Sequence, residues 1–337
     1  MIIHPSTIKE SQDDVINGLM KEVEPEYRIK PTYLFKKEYT KWMNQGSALN
    51  FDLSYSLGNN LDEKLLFTIE NVIRMSKMEQ YQELFRSFKY GKQREYVFNS
   101  NKGENVGHQT LHETISSLQN YKEGNELSSK ESNETVNTLK ALEFLNETRS
   151  EMLSTLNESE LHHSIMLFED TIKECHSILM KGLVVNNGLY RQKQACAMRD
   201  DNTLLYYVDH DLVADRCVGL IDYYNTIVDE CVGEDMFNVE KLFKLASYLA
   251  FNFVDIHPFS DGNGRMARLL ANYVLSLHLP FPVTFSNDRK EYIAAVETFR
   301  NSHPQQFTVM LMENAFQSCL DFLKSNNLNN DKYNHQI

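Results

Sequence analysis

Two apolar stripes at helical spacing meet across a turn through which neither helix nor strand can continue. Leu242, Leu245, Ala246, Leu249, Phe253 and Ile256 recur at three- and four-residue steps behind Asn238, a capping residue by type, and Pro258 ends the run. Met266, Leu269, Leu270, Tyr273, Val274 and Leu277 form a second stripe, which predicts a helix from Asn263 or Gly264 to about His278, ahead of Pro280 and Pro282. Between them lies His257-Pro258-Phe259-Ser260-Asp261-Gly262-Asn263-Gly264-Arg265-Met266-Ala267-Arg268. The chain must therefore build a helix, a tight turn and another helix here.

That turn has the parts of a phosphate site. Gly262 and Gly264 let the backbone approach an anion, and the second helix aims its positive N-terminal end at the same place. Asn263 caps that helix or donates from its amide. Arg265 and Arg268, three residues apart, project to one side as forked donors for phosphates. Asp261 is a hard oxygen ligand of the kind Mg²⁺ takes beside substrate phosphates. His257 titrates in the range that suits a proton acceptor for an attacking hydroxyl. Phe259, apolar amid polar neighbours, anchors the loop in the core. Each residue has an ordinary structural role when taken singly; the combination within twelve residues is what points to phosphate chemistry.

The formal net charge of −13 and pI near 5.4 exclude a general nucleic-acid binder, so any basic site must be local. No run is apolar enough for a membrane span, and Met1-Ile2-Ile3-His4-Pro5 lacks the features of a secretory leader, which predicts a soluble, cytoplasmic protein. Cys175, Cys196, Cys217, Cys231 and Cys319 are scattered and odd in number, which fits reduced structural thiols.

The chain reads as mainly α. Residues 1–95 form a helical N-terminal region of open role, with Leu65, Leu66, Ile69, Val72 and Ile73 at helical spacing. Residues 96–134 include a polar stretch from Asn120 to Glu134 that reads as loop or linker. Residues 135–326 form a helical core, and 327–337 an asparagine-rich, frayed tail. One interruption stands out. Gly188-Leu189-Tyr190-Arg191 precedes two extended segments, Gln194 to Met198 and Thr203 to Val208, around Asp200-Asp201-Asn202, and this predicts a β-hairpin.

The run from His257 to Arg268 matches H-x-F-x-(D/E)-G-N-G-R-x-x-R, and on these residues the chain resembles the Fic (Fido) family over about residues 95–325. The resemblance implies a helical bundle core with a small β-hairpin flap, and transfer of AMP from ATP to a Ser, Thr or Tyr hydroxyl of a target protein. His257 would be the general base and Asp261 the ligand of Mg²⁺ or Mn²⁺. Gly262, Asn263 and Gly264 would form the anion hole, and Arg265 and Arg268 the phosphate clamps. Tyr292 and Asn301 resemble nucleoside-pocket positions, although a tyrosine on an apolar stripe is also an ordinary core residue.

Ser100-Asn101-Lys102-Gly103-Glu104-Asn105 fits the family's inhibitory pattern (S/T)-x-x-x-E-(G/N), placed before the core as in the class with an N-terminal inhibitory helix. Alone, these six residues also suit a capped helix start. The resemblance implies that Glu104, through Arg268, would deny ATP its productive pose. Gly103 stands where relatives carry an apolar residue, which predicts a loosened clamp. Removal of AMP at the same site, transfer of UMP, phosphocholine or phosphate, and a non-catalytic interaction protein with a vestigial pocket remain open readings. A homodimer is compatible with the sequence, and the target protein is not named by it.

Overall fold

The computed structural model describes residues 28–29, 49, 51, 53, 61–155, 166–199, 202–231, 239–285, 288–301 and 303–328. Most of the predicted region before residue 61, the Asp200-Asp201 tip, Asn238 and the tail from 329 lie outside them. Strand β1 (Arg28–Ile29) precedes ten helices: α1 (Leu61–Ser76), α2 (Gln82–Lys102), α3 (Leu111–Lys122), α4 (Lys130–Thr155) and α5 (Glu169–Leu179), then, after strands β2 (Cys196–Met198) and β3 (Leu204–Tyr206), α6 (Val213–Cys231), α7 (Val239–Ile256), α8 (Asn263–Leu275), α9 (Arg289–Arg300) and α10 (Gln305–Ser325).

The protein is mainly α, as its periodicity predicts. α7 and α8 pack on each other more extensively than any other pair; α7 also packs on α1, α6 and α10, and α8 on α2, α4 and α5. The predicted stripe on α8 understates its burial. Every residue from Arg265 to Leu275 is buried, arginines included, so α8 is a central helix and not an amphipathic surface one. It ends at Leu275; the predicted last turn to His278 is a series of tight turns instead.

The linker expectation is corrected. Thr110 and Glu113 form a capping box that starts α3, and Ser129 Oγ accepts the Ser132 N–H at the start of α4, leaving only residues 123–129 outside helix. Glu134 and Thr135 are buried in α4, and their packing outweighs a composition that reads as loop. α2 runs unbroken through residues 95 and 96, so one helix joins the N-terminal region to the segment carrying Glu104. Lys92 secures it against α10 through Asp321 at 3.1 Å.

The hairpin forms with Cys196 opposite Tyr206, Ala197 opposite Leu205 and Met198 opposite Leu204. β1 adds in parallel on the other edge of β3, with Arg28 opposite Leu204. Cys175, Cys196, Cys217 and Cys319 are free thiols. Among the described residues no helix is long and apolar enough to cross a membrane.

Candidate active site

The motif loop leaves α7 through a left-handed residue. His257 has φ 53°, uncommon for a side chain with Cβ, and the turn closes at Gly262 with φ 79°. Glycine is required at 262 twice over, because a Cβ there would also lie 2.8 Å from Met180 Sδ. Asn263 does not cap α8, as one of its two expected roles had it; Gly262 holds that place. The Asn263 carboxamide staples the loop instead, accepting the Phe259 N–H at 3.0 Å and donating to Phe259 O at 2.8 Å. Phe259 is buried, as expected of an anchor.

Two residues outside the motif hold this loop in place, His176, which no sequence pattern flagged, and Arg191 of the run ahead of the hairpin. His176 of α5 stacks on Phe259 at 3.6 Å between ring centres. Its Nδ1 accepts the Gly188 N–H at 2.8 Å, so Nε2 carries the proton and donates to Asp261 O at 3.0 Å. Burial lowers its pKa to about 4 and keeps it neutral in this bridging role. Arg191, the last residue of the Gly188-Leu189-Tyr190-Arg191 flap entry, donates from Nε to His257 O at 2.7 Å and from its backbone N–H to Pro258 O at 2.9 Å. It also donates to Lys193 O and Val208 O, fastening the hairpin to the same loop. An arginine after a glycine turn and a histidine on an apolar stripe are legible only as types; their roles depend on backbone carbonyls distant in sequence.

His257 is half-buried under the flap, with Tyr207 stacked on its ring at 3.9 Å. Nδ1 faces Val254 O at 3.4 Å, which assigns the proton to Nδ1 and the lone pair to Nε2. Burial, and then the Arg191 guanidinium, lower its pKa to about 4. At pH 7 the imidazole is neutral and able to accept a proton.

Beyond the turn, the backbone N–H groups of Asn263, Gly264 and Arg265 open α8, where helix geometry supplies no intrahelical acceptor. Glu104 occupies this cradle. Its Oε1 accepts from Arg268 Nη1 at 2.5 Å and its Oε2 from Arg289 Nη1 at 2.8 Å, and a Cβ added to Gly264 would overlap it. Burial would raise the Glu104 carboxyl, but Arg268 and Arg289 outweigh it and hold the pKa below the usual value. Arg268 is wholly buried, yet Glu104 keeps its pKa raised. Arg289, at the start of α9, also donates to Gly103 O at 3.1 Å, and no sequence pattern flagged it.

The inhibitory pattern is a helix end, not a capped helix start. α2 stops at Lys102, and Asn105 takes φ 56°, the left-handed conformation that Gly and Asn adopt most readily, which accounts physically for G/N after the glutamate. Ser100 is buried on the last turn of α2. Gly103 lies beyond the helix interior, and a Cβ there would meet Arg268 Nη2 at 2.9 Å. The glycine thus admits the guanidinium against the backbone, contrary to the expected loosening.

Arg265 is equally buried, but only its Nη2 has a contact, with Met180 Sδ at 3.2 Å; Nε and Nη1 have no hydrogen-bond partner. Asp261 is exposed, and its Oδ1 accepts the Gly262 N–H at 2.6 Å. A solvent-facing carboxylate beside open backbone donors fits a Mg²⁺ ion shared with phosphates. Tyr292 is buried with Arg268 over its ring at 4.2 Å, so it is both core and site wall. Asn301 is the exposed C-cap of α9; its neighbour Arg300 is the residue tied to α7, through Asp255 at 2.8 Å.

Comparison with known proteins agrees with this geometry. Residues 166–275 match the model of the Fic/DOC family. A Fido domain-containing protein of Dictyostelium discoideum is 36% identical over 118 residues, covering 35% of this chain and 74% of that protein. The chain belongs to the Fic/DOC, or Fido, family. A Fic domain-containing signalling protein from Bacteroides thetaiotaomicron shares its fold, with a TM-score of 0.64 at 19% identity over 80% of this chain and 98% of that one. Fic-1 from C. elegans, residues 134–508, aligns with a TM-score of 0.62 at 21% identity over 79% of this chain and 73% of its own. Members of this family are in general nucleotidyl transferases.

Proposed function

We propose that the protein transfers AMP from ATP to a Ser, Thr or Tyr hydroxyl of a target protein, and that Glu104 holds this activity down. The observation that carries the reading is a carboxylate lodged between Arg268 and Arg289 at the mouth of α8, where the chain's own anion fills a cradle suited to phosphate.

His257 Nε2 takes the proton of the target hydroxyl as its oxygen attacks the α-phosphorus. The bond from that phosphorus to the bridging oxygen breaks, and pyrophosphate leaves. The N–H groups of Asn263, Gly264 and Arg265 and the guanidinium of Arg265 hold phosphate oxygens, and Arg268 joins them once Glu104 has left. Asp261 would hold Mg²⁺, which offsets phosphate charge when bound. Tyr207 and the flap exclude water from His257 and line the approach of the target segment.

The test is labelling of lysate proteins with α-³²P-ATP by the parent, Glu104→Gly and Glu104→Gly/His257→Ala. Glu104→Gly is expected to label well above the parent, and the added His257→Ala to remove about 10²–10⁴-fold of that signal. Absence of labelling by Glu104→Gly would overturn the reading.

A second reading is removal of AMP, in which Glu104 would orient a water; it is supported by the charge of Glu104 being felt at His257, where it raises the pKa against the larger effect of burial. It predicts that Glu104→Gly loses AMP release from a modified target while gaining transfer.

A further inference from the structure

A second set of basic side chains gathers beyond the other end of α8. Lys89 of α2, Arg149 of α4 and His278, past the α8 terminus, line one cavity of about 170 Å³ with Asn146 and Phe281. Its lining contains no aspartate or glutamate. One water needs roughly 10–15 Å³ of such space, so there is room for a polyatomic ion. Nε and Nη1 of Arg149 are buried without a hydrogen-bond partner, and among the described residues neither Lys89 nor Arg149 forms an ion pair.

In a chain of net charge −13 this is an expensive arrangement. Burial lowers the pKa of Arg149; desolvation against the cavity wall, and then Arg149, lower that of Lys89, although its side chain as a whole is exposed. Burial, followed by Lys77 and Arg149, pushes His278 down to about 4. Each group is thus less ready to carry charge here than in water, and a bound anion would reverse that. The asparagine on the α8 side, Asn272, turns its oxygen to the Val283 N–H at 2.7 Å.

We propose that this cavity binds a small phosphate anion. A guanidinium fork, an ammonium and an imidazole from three separate elements suit a tetrahedral dianion, which can take donors from several directions at once. The site is distinct from the motif cradle, and the proposal does not depend on the transfer reaction.

The test uses the full chain, with thermal unfolding and calorimetry in inorganic phosphate against chloride at equal ionic strength. Saturating phosphate is expected to raise Tm by about 2–4 °C. Arg149→Gln and Lys89→Gln should each remove most of that increment, whereas Arg268→Lys, which alters the motif cradle, should keep it. Lys89 is exposed, so its variant decides the matter if Arg149→Gln does not fold. A phosphate increment that survives in the folded pocket variants, that is lost in Arg268→Lys, or that is absent from the parent would overturn the proposal.

Discussion

The two ends of α8 hold cations under opposite conditions. At its N-terminal end Arg268 is wholly buried, but the chain supplies Glu104 as its counter-ion, and the guanidinium is more firmly charged than in water. Beyond its C-terminal end Arg149 shares a cavity with Lys89 and His278 and no carboxylate, and all three are pushed toward neutrality. A buried charge is tolerable when its partner is built in and costly when the partner must arrive from outside. Arg265, three residues before Arg268, repeats the lesson within a single helix: each has two nitrogens without a hydrogen-bond partner, but Arg268 has the Glu104 carboxylate and a raised pKa, whereas Arg265 has only Met180 Sδ and a lowered one.

Removing the built-in partner should make the first end behave like the second. Glu104→Gln leaves Arg268 buried opposite a neutral amide and is expected to lower stability by about 3 kcal/mol, measured by urea unfolding without nucleotide. Added Mg·ATP should recover most of that loss; no recovery would break the analogy between the two ends. Gly264→Ala should cost the parent about 2 kcal/mol, because the new methyl overlaps the Glu104 carboxylate, yet almost nothing in a Glu104→Gly background. A double-mutant cycle reads this difference, and additive losses would show that the overlap is not the cause.

A smaller effect is expected at Arg289, whose side chain is 47% exposed. Arg289→Ala should cost about 0.5 kcal/mol and tighten nucleotide binding about two-fold by calorimetry, with no tightening in Glu104→Gly. The smallest effect is the pH response. The folded pKa of Glu104 is lowered, so the pair's contribution is full above the unfolded value near 4.5 and lost as pH falls through the lower folded one. The stability gap between the parent and Glu104→Gln should therefore be constant from pH 7 to about 5 and close below 4.5.

Much of the first end was legible in the sequence because its residues are contiguous. The stripes around 257–268 located both helices and the turn, and the resemblance placed Glu104 opposite Arg268. What escaped was carried by distance. Arg289 reaches Glu104 from 185 positions away, and His176 reaches Asp261 from 85. The stretch from Asn120 to Glu134 reads as linker because its polar composition hides the helix ends it contains, with Glu134 buried in α4. The expectation for Gly103 erred for a related reason: helix propensity was weighed where contact with a guanidinium decides. The cavity at Arg149 had no signature at all, since Lys89, Arg149 and His278 belong to three unrelated stretches.

Glu104 is joined to Arg268 by the fold itself, and on the proposed function this would set the terms on which a nucleotide competes. A tethered carboxylate acts as a ligand at a fixed effective concentration, unaffected by dilution of the protein or by the presence of other copies. Under the proposed function the apparent dissociation constant for ATP is multiplied by a constant factor, the ratio of all molecules to unlatched ones. Because the tether is the C-terminal end of α2, whatever bends, shortens or grips that helix resets the factor without touching a single phosphate-binding group.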